Sequence, residues 1–91
     1  MPELPPFAVL LTGEAQKHYD TLDDPMTRRI NAAIDLLARN PFLGPNIVKL
    51  RGKLEGLCRY RVGSYRIVYG VDDRRRVLTV HGILRRPEAY R

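Results

Sequence analysis

The sequence predicts a single α+β domain of order β-α-α-β-β-β, a mostly antiparallel sheet with a helical hairpin packed on one face. Three observations carry this. The apolar period is 3.6 residues up to about position 40 and 2 residues after Gly44-Pro45. A Gly63-Ser64 pair separates two runs of β-forming residues. The 91 residues leave no room for a second core, so 1–91 is read as one domain. A chain this short buries roughly 60–65% of the surface that its unfolded form exposes, so its stability is modest. Its 44% hydrophobic and 29% charged residues are ordinary for a globular protein and argue against disorder.

Residues 7–11 form an apolar, β-compatible run entered through Pro5-Pro6, which suits a first strand. Thr12 is placed to cap a short helix whose stripe is Ala15, His18, Tyr19 and Leu22, at i, i+3, i+4 and i+7. His18 lies on that stripe and is assigned a structural role. Asp23-Asp24-Pro25 ends the first helix and starts a second, with Asp24 as N-cap and Pro25 as first helical residue. Met26, Ile30, Ala33, Ile34 and Leu37 mark its apolar face; Arg28, Arg29, Asp35 and Arg39 lie outside it. Asn40-Pro41 stops it, because proline disfavours helix in the residue before it.

Strands are then expected over 47–51, 57–62, 65–71 and 77–84, the last reached through the turn Asp72-Asp73-Arg74-Arg75. Gly63-Ser64 is a Gly-X pair of the kind that closes a two-residue type II′ hairpin. That loop pairs Val62 with Tyr65, Arg61 with Arg66, Tyr60 with Ile67 and Arg59 with Val68. Alternation puts Tyr60, Val62, Tyr65, Ile67 and Tyr69 on one face and Arg59, Arg61 and Arg66 on the other. A turn that sets Val71 opposite Arg76 extends the row. His81 then faces Arg66, Arg85 has the same parity, and Leu78, Val80 and Leu84 join the core. A three-residue loop reverses all of this and leaves His81 an edge histidine bonded to backbone.

Charge is uneven along the chain. Residues 1–44 hold four bases and six acids, net −2; residues 45–91 hold twelve bases and four acids, net +8, which sum to +6. Six of the bases, Lys49, Arg51, Lys53, Arg59, Arg61 and Arg66, are interleaved with aromatics and β-formers, and Arg85, Arg86 and Arg91 follow. Such an excess on a folded sheet is an electrostatic footprint for a polyanion, and guanidinium forks match phosphate in pairs. Like charges opposite one another destabilise a sheet, so the pairing of Arg61 with Arg66 needs a reason. Either a carboxylate such as Glu55 or Glu88 neutralises them, or a ligand does.

Other chemistries find no support. A single cysteine, Cys58, allows neither an intramolecular disulfide nor a thiolate metal cluster, and it reads as a small core residue. No metal-ligand spacing, carboxylate pair or nucleotide-binding glycine motif is present, so no cofactor is expected. No apolar run approaches membrane-spanning length and the first residues lack the basic start of a secretion signal. The chain is read as cytoplasmic. Arginine, tyrosine and one histidine suit RNA cleavage by attack of the 2′-hydroxyl on its own phosphate, since RNA supplies the nucleophile.

KLRG (49–52), LCRYRVGSYRIVY (57–69) and RRPEAY (85–90) resemble the bacterial RelE/ParE toxin superfamily of type II toxin–antitoxin systems, and the element order extends the likeness over nearly the whole chain. The resemblance implies a cognate antitoxin and one of two targets. RelE-like members cut mRNA in the ribosomal A site without a metal; ParE-like members poison DNA gyrase. By resemblance Arg59 and Arg61 take the paired basic positions, Arg66 the arginine of a Tyr-Arg-x-x-Tyr motif, Arg85 the C-terminal arginine and Tyr90 the base-stacking tyrosine. The expected catalytic set is thus Arg61, Arg66, Arg85, Tyr90 and His81, with Lys49, Arg51, Lys53, Arg59 and Arg86 binding RNA. Two departures stand out. Well-studied RelE enzymes have lysines at the paired positions, whereas arginine stays protonated and stabilises charge without serving as a base. The histidine that many relatives carry before the terminal arginine is Leu84 here, which leaves His81, Tyr90 or ribosomal RNA groups to move protons.

Overall fold

The computed structural model of the chain describes residues 5–42, 44 and 46–85. It contains β1 (Ala8–Leu11), α1 (Gly13–Asp20), α2 (Asp24–Arg39), β2 (Ile47–Lys49), a 3-10 turn (Gly52–Leu54), β3 (Leu57–Val62), β4 (Tyr65–Asp72) and β5 (Val77–Arg85). The strands form one sheet in the order β1-β5-β4-β3-β2. β1 runs parallel to β5, and the other neighbours are antiparallel. The fold is α+β as predicted, with five strands where the order β-α-α-β-β-β counts four. The strands expected over 7–11, 47–51, 57–62, 65–71 and 77–84 all form, and β2 stops at Lys49 rather than residue 51. Leu50 N–H still donates to the Leu57 carbonyl at 2.9 Å, but Gly52 at φ +69° then turns the chain into the 3-10 segment.

Both helices start where an oxygen-bearing side chain meets orphan backbone donors. The Thr12 hydroxyl accepts from Ala15 N–H at 3.1 Å. At α2 the cap is Asp23 rather than Asp24: its extended backbone (φ −73°, ψ 168°) aims the carboxylate at Met26 N–H, 2.8 Å away. Pro25 falls in the first turn, where its missing N–H removes no helical bond. Ile30, Ala33, Ile34 and Leu37 of α2 pack with Val62, Ile67, Tyr69, Leu78, Val80 and Ile83 of the sheet. Each large side chain so buried contributes roughly 1.5–3 kcal/mol.

The β3–β4 hairpin has the predicted register, Val62 with Tyr65 through Arg59 with Val68. Gly63 sits at φ +57°, and Ser64 has no positive φ, the signature of a type II′ turn. β5 differs from expectation in two steps. Val71 pairs with Leu78, not Arg76, because residues 73–76 form a longer loop. That slip of two positions leaves every face unchanged. A β-bulge between Val68 and Tyr69 then adds one residue to β5, and one residue reverses the faces. His81 is the extra residue; Arg66 is paired with Leu84, and Tyr65 with Arg85.

α1 secures the bulge. It continues from the end of β1 along the outer edge of β5, where Thr12 N–H donates to the Val80 carbonyl at 3.0 Å and the Thr12 hydroxyl to the His81 carbonyl at 3.3 Å. Ile83 N–H donates to His18 Nδ1 at 3.2 Å. Gly82 leaves room for that ring, which lies 3.6 Å from where a Cβ would stand. His18 is structural, as its place on the helix predicts. At the opposite end of β5, Arg76 adopts φ +58°, a conformation usual for Gly or Asn. Its guanidinium lies 3.9 Å over the Phe7 ring and donates to the Pro5 carbonyl at 2.7 Å, contacts that offset the strain.

Tyr69 is fully buried and its hydroxyl donates to the Pro41 carbonyl at 2.8 Å, which anchors the exit of α2 to the sheet. Burial first, then the neighbouring Cys58 thiol, pushes the phenol pKa far above its usual 10. Folding therefore favours the protonated phenol. The stabilisation is complete below pH about 10 and is lost as pH climbs from there towards the folded-state value. In urea titrations Tyr69→Phe should cost about 1–3 kcal/mol at neutral pH, and its stability should fall less steeply than wild type above pH about 10. His18→Ala, which leaves Ile83 N–H without its acceptor, should cost a similar amount of about 1–3 kcal/mol in the same assay.

Candidate nucleic-acid interface

The helices cover the face that carries Tyr60, Val62, Ile67 and Tyr69, so alternation sends Arg59, Arg61 and Arg66 to the other, open face. Arg61 and Arg66 are direct partners, with Cβ atoms about 4.5–5.5 Å apart in such a pair. Their environments differ. Arg61 is exposed, and among the described residues its guanidinium has neither an ion pair nor a hydrogen bond. Arg66, in the central strand, is 4% exposed, flanked by Arg61 on one side and Leu84 on the other. Arg59 is half-buried between Val48 and Val68 on the same face. Enclosure in the central strand leaves the Arg66 guanidinium little freedom to reorient.

The structure corrects two placements. His81 does not face Arg66. It is on the open face, but its Nε2 lies 3.5 Å from the point where a Cβ would stand on Gly70, four residues along β4 from Arg66 and so about 13 Å away. Leu57 closes against the same glycine from the other side, at 3.1 Å. Arg85, beyond the bulge, shares the helix-covered face with Tyr65: its Nε donates to the Tyr65 hydroxyl at 3.3 Å and its Cζ lies 5.7 Å from the ring. Leu84, expected in the core, takes the open-face position beside Arg66.

The remaining basic residues divide by position. Lys49, Arg51 and Lys53 are exposed at the far end of β3, around the 3-10 turn. Lys49 pairs with Cys58, three residues from Arg61, and so belongs by parity to the helix-side face at the sheet's edge. Lys49 and Arg51 line a groove of about 440 Å³ with Leu50, Leu57 and Glu55, so the carboxylate expected as a possible partner of the arginine pair sits with these two instead. Cys58 also lines it and is half-buried, less enclosed than a core residue. Arg86, Glu88, Tyr90 and Arg91 lie outside the described residues. Sequence reasoning missed Arg29, which reaches the hairpin turn from α2; nothing in the spacing of a helix signals which loop it overhangs.

Arginine stays protonated at neutral pH, so Arg61 and Arg66 are suited to stabilise negative charge and not to remove a proton. No group of three His, Cys, Asp or Glu that could hold a metal ion occurs among the described residues. None of their helices is long and apolar enough to cross a membrane.

Known proteins share this fold. Residues 9–90 match the family described as the ParE toxin of the type II toxin–antitoxin system parDE. Toxin RelE of Mycobacterium tuberculosis is 33% identical over 88 residues, covering 94% of this chain and 88% of its own. The fold is similar to that of the Mycobacterium tuberculosis RelBE2 toxin–antitoxin complex (TM-score 0.79, 25% identity, 90% of this chain and 100% of that one). It is also similar to the YoeB/ParE toxin from Agrobacterium tumefaciens (TM-score 0.77, 25% identity, 86% of this chain and 96% of that one). The chain belongs to the RelE/ParE superfamily and is a toxin of a type II toxin–antitoxin system.

Proposed function

We propose that this toxin is a ribosome-dependent endoribonuclease that cuts mRNA in the A site and so stops translation. The observation that carries the reading is the direct pairing of Arg61 with Arg66 on the sheet face opposite α2. Like charges held opposite one another are a cost to folding that a bound phosphate turns into binding energy. The 33% identity to a protein named Toxin RelE supports the same target.

In this mechanism the 2′-hydroxyl oxygen of the nucleotide before the cut bonds to the adjacent phosphorus and loses its proton to a base. The P–O5′ bond breaks, and the departing 5′-oxygen takes a proton. The products are a 2′,3′-cyclic phosphate and a 5′-hydroxyl, with no external water or oxidant consumed. Arg66 fixes the phosphate, Arg61 closes on it from the exposed side, and both stabilise the charge that grows on the non-bridging oxygens. Arg59 holds the neighbouring backbone. His81, which the bulge moves out of register with Arg66, is assigned a contact to the RNA rather than the 2′-proton. Proton transfer is assigned to Tyr90 or to ribosomal RNA groups, and Arg85 acts from the end of β5, beside Tyr65. Lys49, Arg51, Lys53 and Arg86 contribute electrostatic attraction. The cytoplasm, where ribosomes are, is the expected compartment.

The partner that restrains the toxin is a cognate antitoxin. Structural relatives were solved as toxin–antitoxin complexes, among them RelE–RelB from Pyrococcus horikoshii. An acidic antitoxin segment over the arginine face would neutralise the exposed Arg61. The family description, parDE, favours a second reading in which the target is DNA gyrase and no RNA is cut.

A purified translation system with defined mRNA separates the readings. The protein should generate new mRNA 3′ ends within translated codons and none on free message. Intact message at every dose, together with blocked supercoiling by gyrase, would establish the gyrase reading instead. Arg61→Ala should slow cleavage by about 10²–10³, the loss typical of one charge-stabilising donor. His81→Ala should slow it less than about tenfold, measured by the same 3′-end mapping.

A further inference from the structure

β2 covers only part of β3. Its first residue, Ile47, pairs with Tyr60, so Arg61 and Val62 have no strand outside them. Along this uncovered stretch a groove of about 480 Å³ opens between α2 and the sheet, lined by Arg29, Leu36, Asn46, Tyr60 and Arg61. Arg29 reaches across it to the hairpin turn. Its Nη1 and Nη2 lie 2.9 Å and 3.1 Å from the point where a Cβ would stand on Gly63, so only glycine admits the fork without displacing it. Two residues separate Gly63 from Arg61, about 7 Å of chain.

Neither the Arg29 nor the Arg61 guanidinium has an ion pair or hydrogen bond among the described residues, and both residues are exposed. Two un-neutralised guanidinium groups on one groove raise each other's energy and lower it for an anion between them. The groove is continuous with the arginine face through Arg61, which belongs to both. A strand of RNA held at Arg61 and Arg66 therefore meets Arg29 as it passes over the hairpin rim, with the Tyr60 ring on the groove wall.

We infer that Arg29 is a further positioning residue of this toxin, holding a backbone phosphate of the RNA at the hairpin end of the arginine face. The inference rests on the ribonuclease reading above and adds to it a contact contributed by helix α2. It acts on binding rather than on the bond broken, since Arg29 reaches the turn and not the Arg61–Arg66 pair.

The test uses full-length wild type, Arg29→Ala and Arg29→Lys, with thermal melts to show equal folding. Binding is followed by fluorescence anisotropy on a single-stranded RNA whose 2′-hydroxyls are methylated, so that it cannot be cut, over a series of salt concentrations. Arg29→Ala should bind several-fold more weakly and reduce the slope of log affinity against log salt by about 0.7, the contribution of one single-strand phosphate contact. Arg29→Lys should restore the slope. In the translation system Arg29→Ala should need several-fold more protein for half-maximal cleavage, with an unchanged maximal rate. Equal affinity and equal slope for wild type and Arg29→Ala would overturn the role of Arg29 while wild-type cleavage stands. Failure of wild type itself to cut message would overturn the ribonuclease reading and this role with it. Weaker binding of poly-L-glutamate by Arg29→Ala, with RNA binding unmoved, would assign the groove to an acidic polypeptide and overturn the proposal.

Discussion

The pairing of β3, β4 and β5 is the constraint on which the rest depends. Side chains alternate along a strand, so one register decides which residues form the core and which form the charged surface. On β3 and β4 the type II′ turn at Gly63-Ser64 sets it, and Tyr60 and Val62 go inward while Arg59 and Arg61 go outward. On β5 the register is set twice, once by the 73–76 loop and again by the bulge at His81. The helices then have no choice of face: α2 must cover Ile67 and Tyr69. α1 is left to occupy the edge of β5 that β1 does not reach.

Two costs run through the structure at the same end of the sheet. One is the repulsion between Arg61 and Arg66; the other is the desolvation of Arg66, which is almost wholly enclosed. Under the proposed function both suit a preorganised anion site, because charges already desolvated and fixed need not reorganise when a phosphate arrives. The cost is carried by a core running from Ile30 and Leu37 through Tyr69 to Val80. In so small a domain that core leaves only a modest margin.

Much of this was legible in the sequence. The hairpin register, the inward and outward sets on β3 and β4, the Thr12 cap and the apolar stripe of α2 all follow from local rules that act over a few residues. What escaped were features set by distant contacts. The bulge depends on Thr12 and His18, more than sixty residues before it in the chain, which accept or donate at the His81 and Ile83 backbone. No period within residues 77–84 could reveal it, and so His81, Leu84 and Arg85 were assigned to the wrong neighbours. The one-residue error at the α2 cap has a simpler origin: adjacent aspartates compete for the position, and backbone geometry picks Asp23. Arg29 escaped because helix spacing places it outside the apolar face and says nothing about the turn above it.

The extra residue in β5 gives Arg66 and Arg85 opposite outlooks although both stand at the hairpin end of the sheet. A ligand that engages the two at once cannot lie flat; it must fold over the rim formed by Tyr65 and the end of β5. Flexible single strands can make that bend, whereas a stiff duplex, with a persistence length of about 150 base pairs, cannot without severe distortion. If the proposed function holds, a one-residue insertion in a strand thereby becomes a filter on the suppleness of what the protein can grasp.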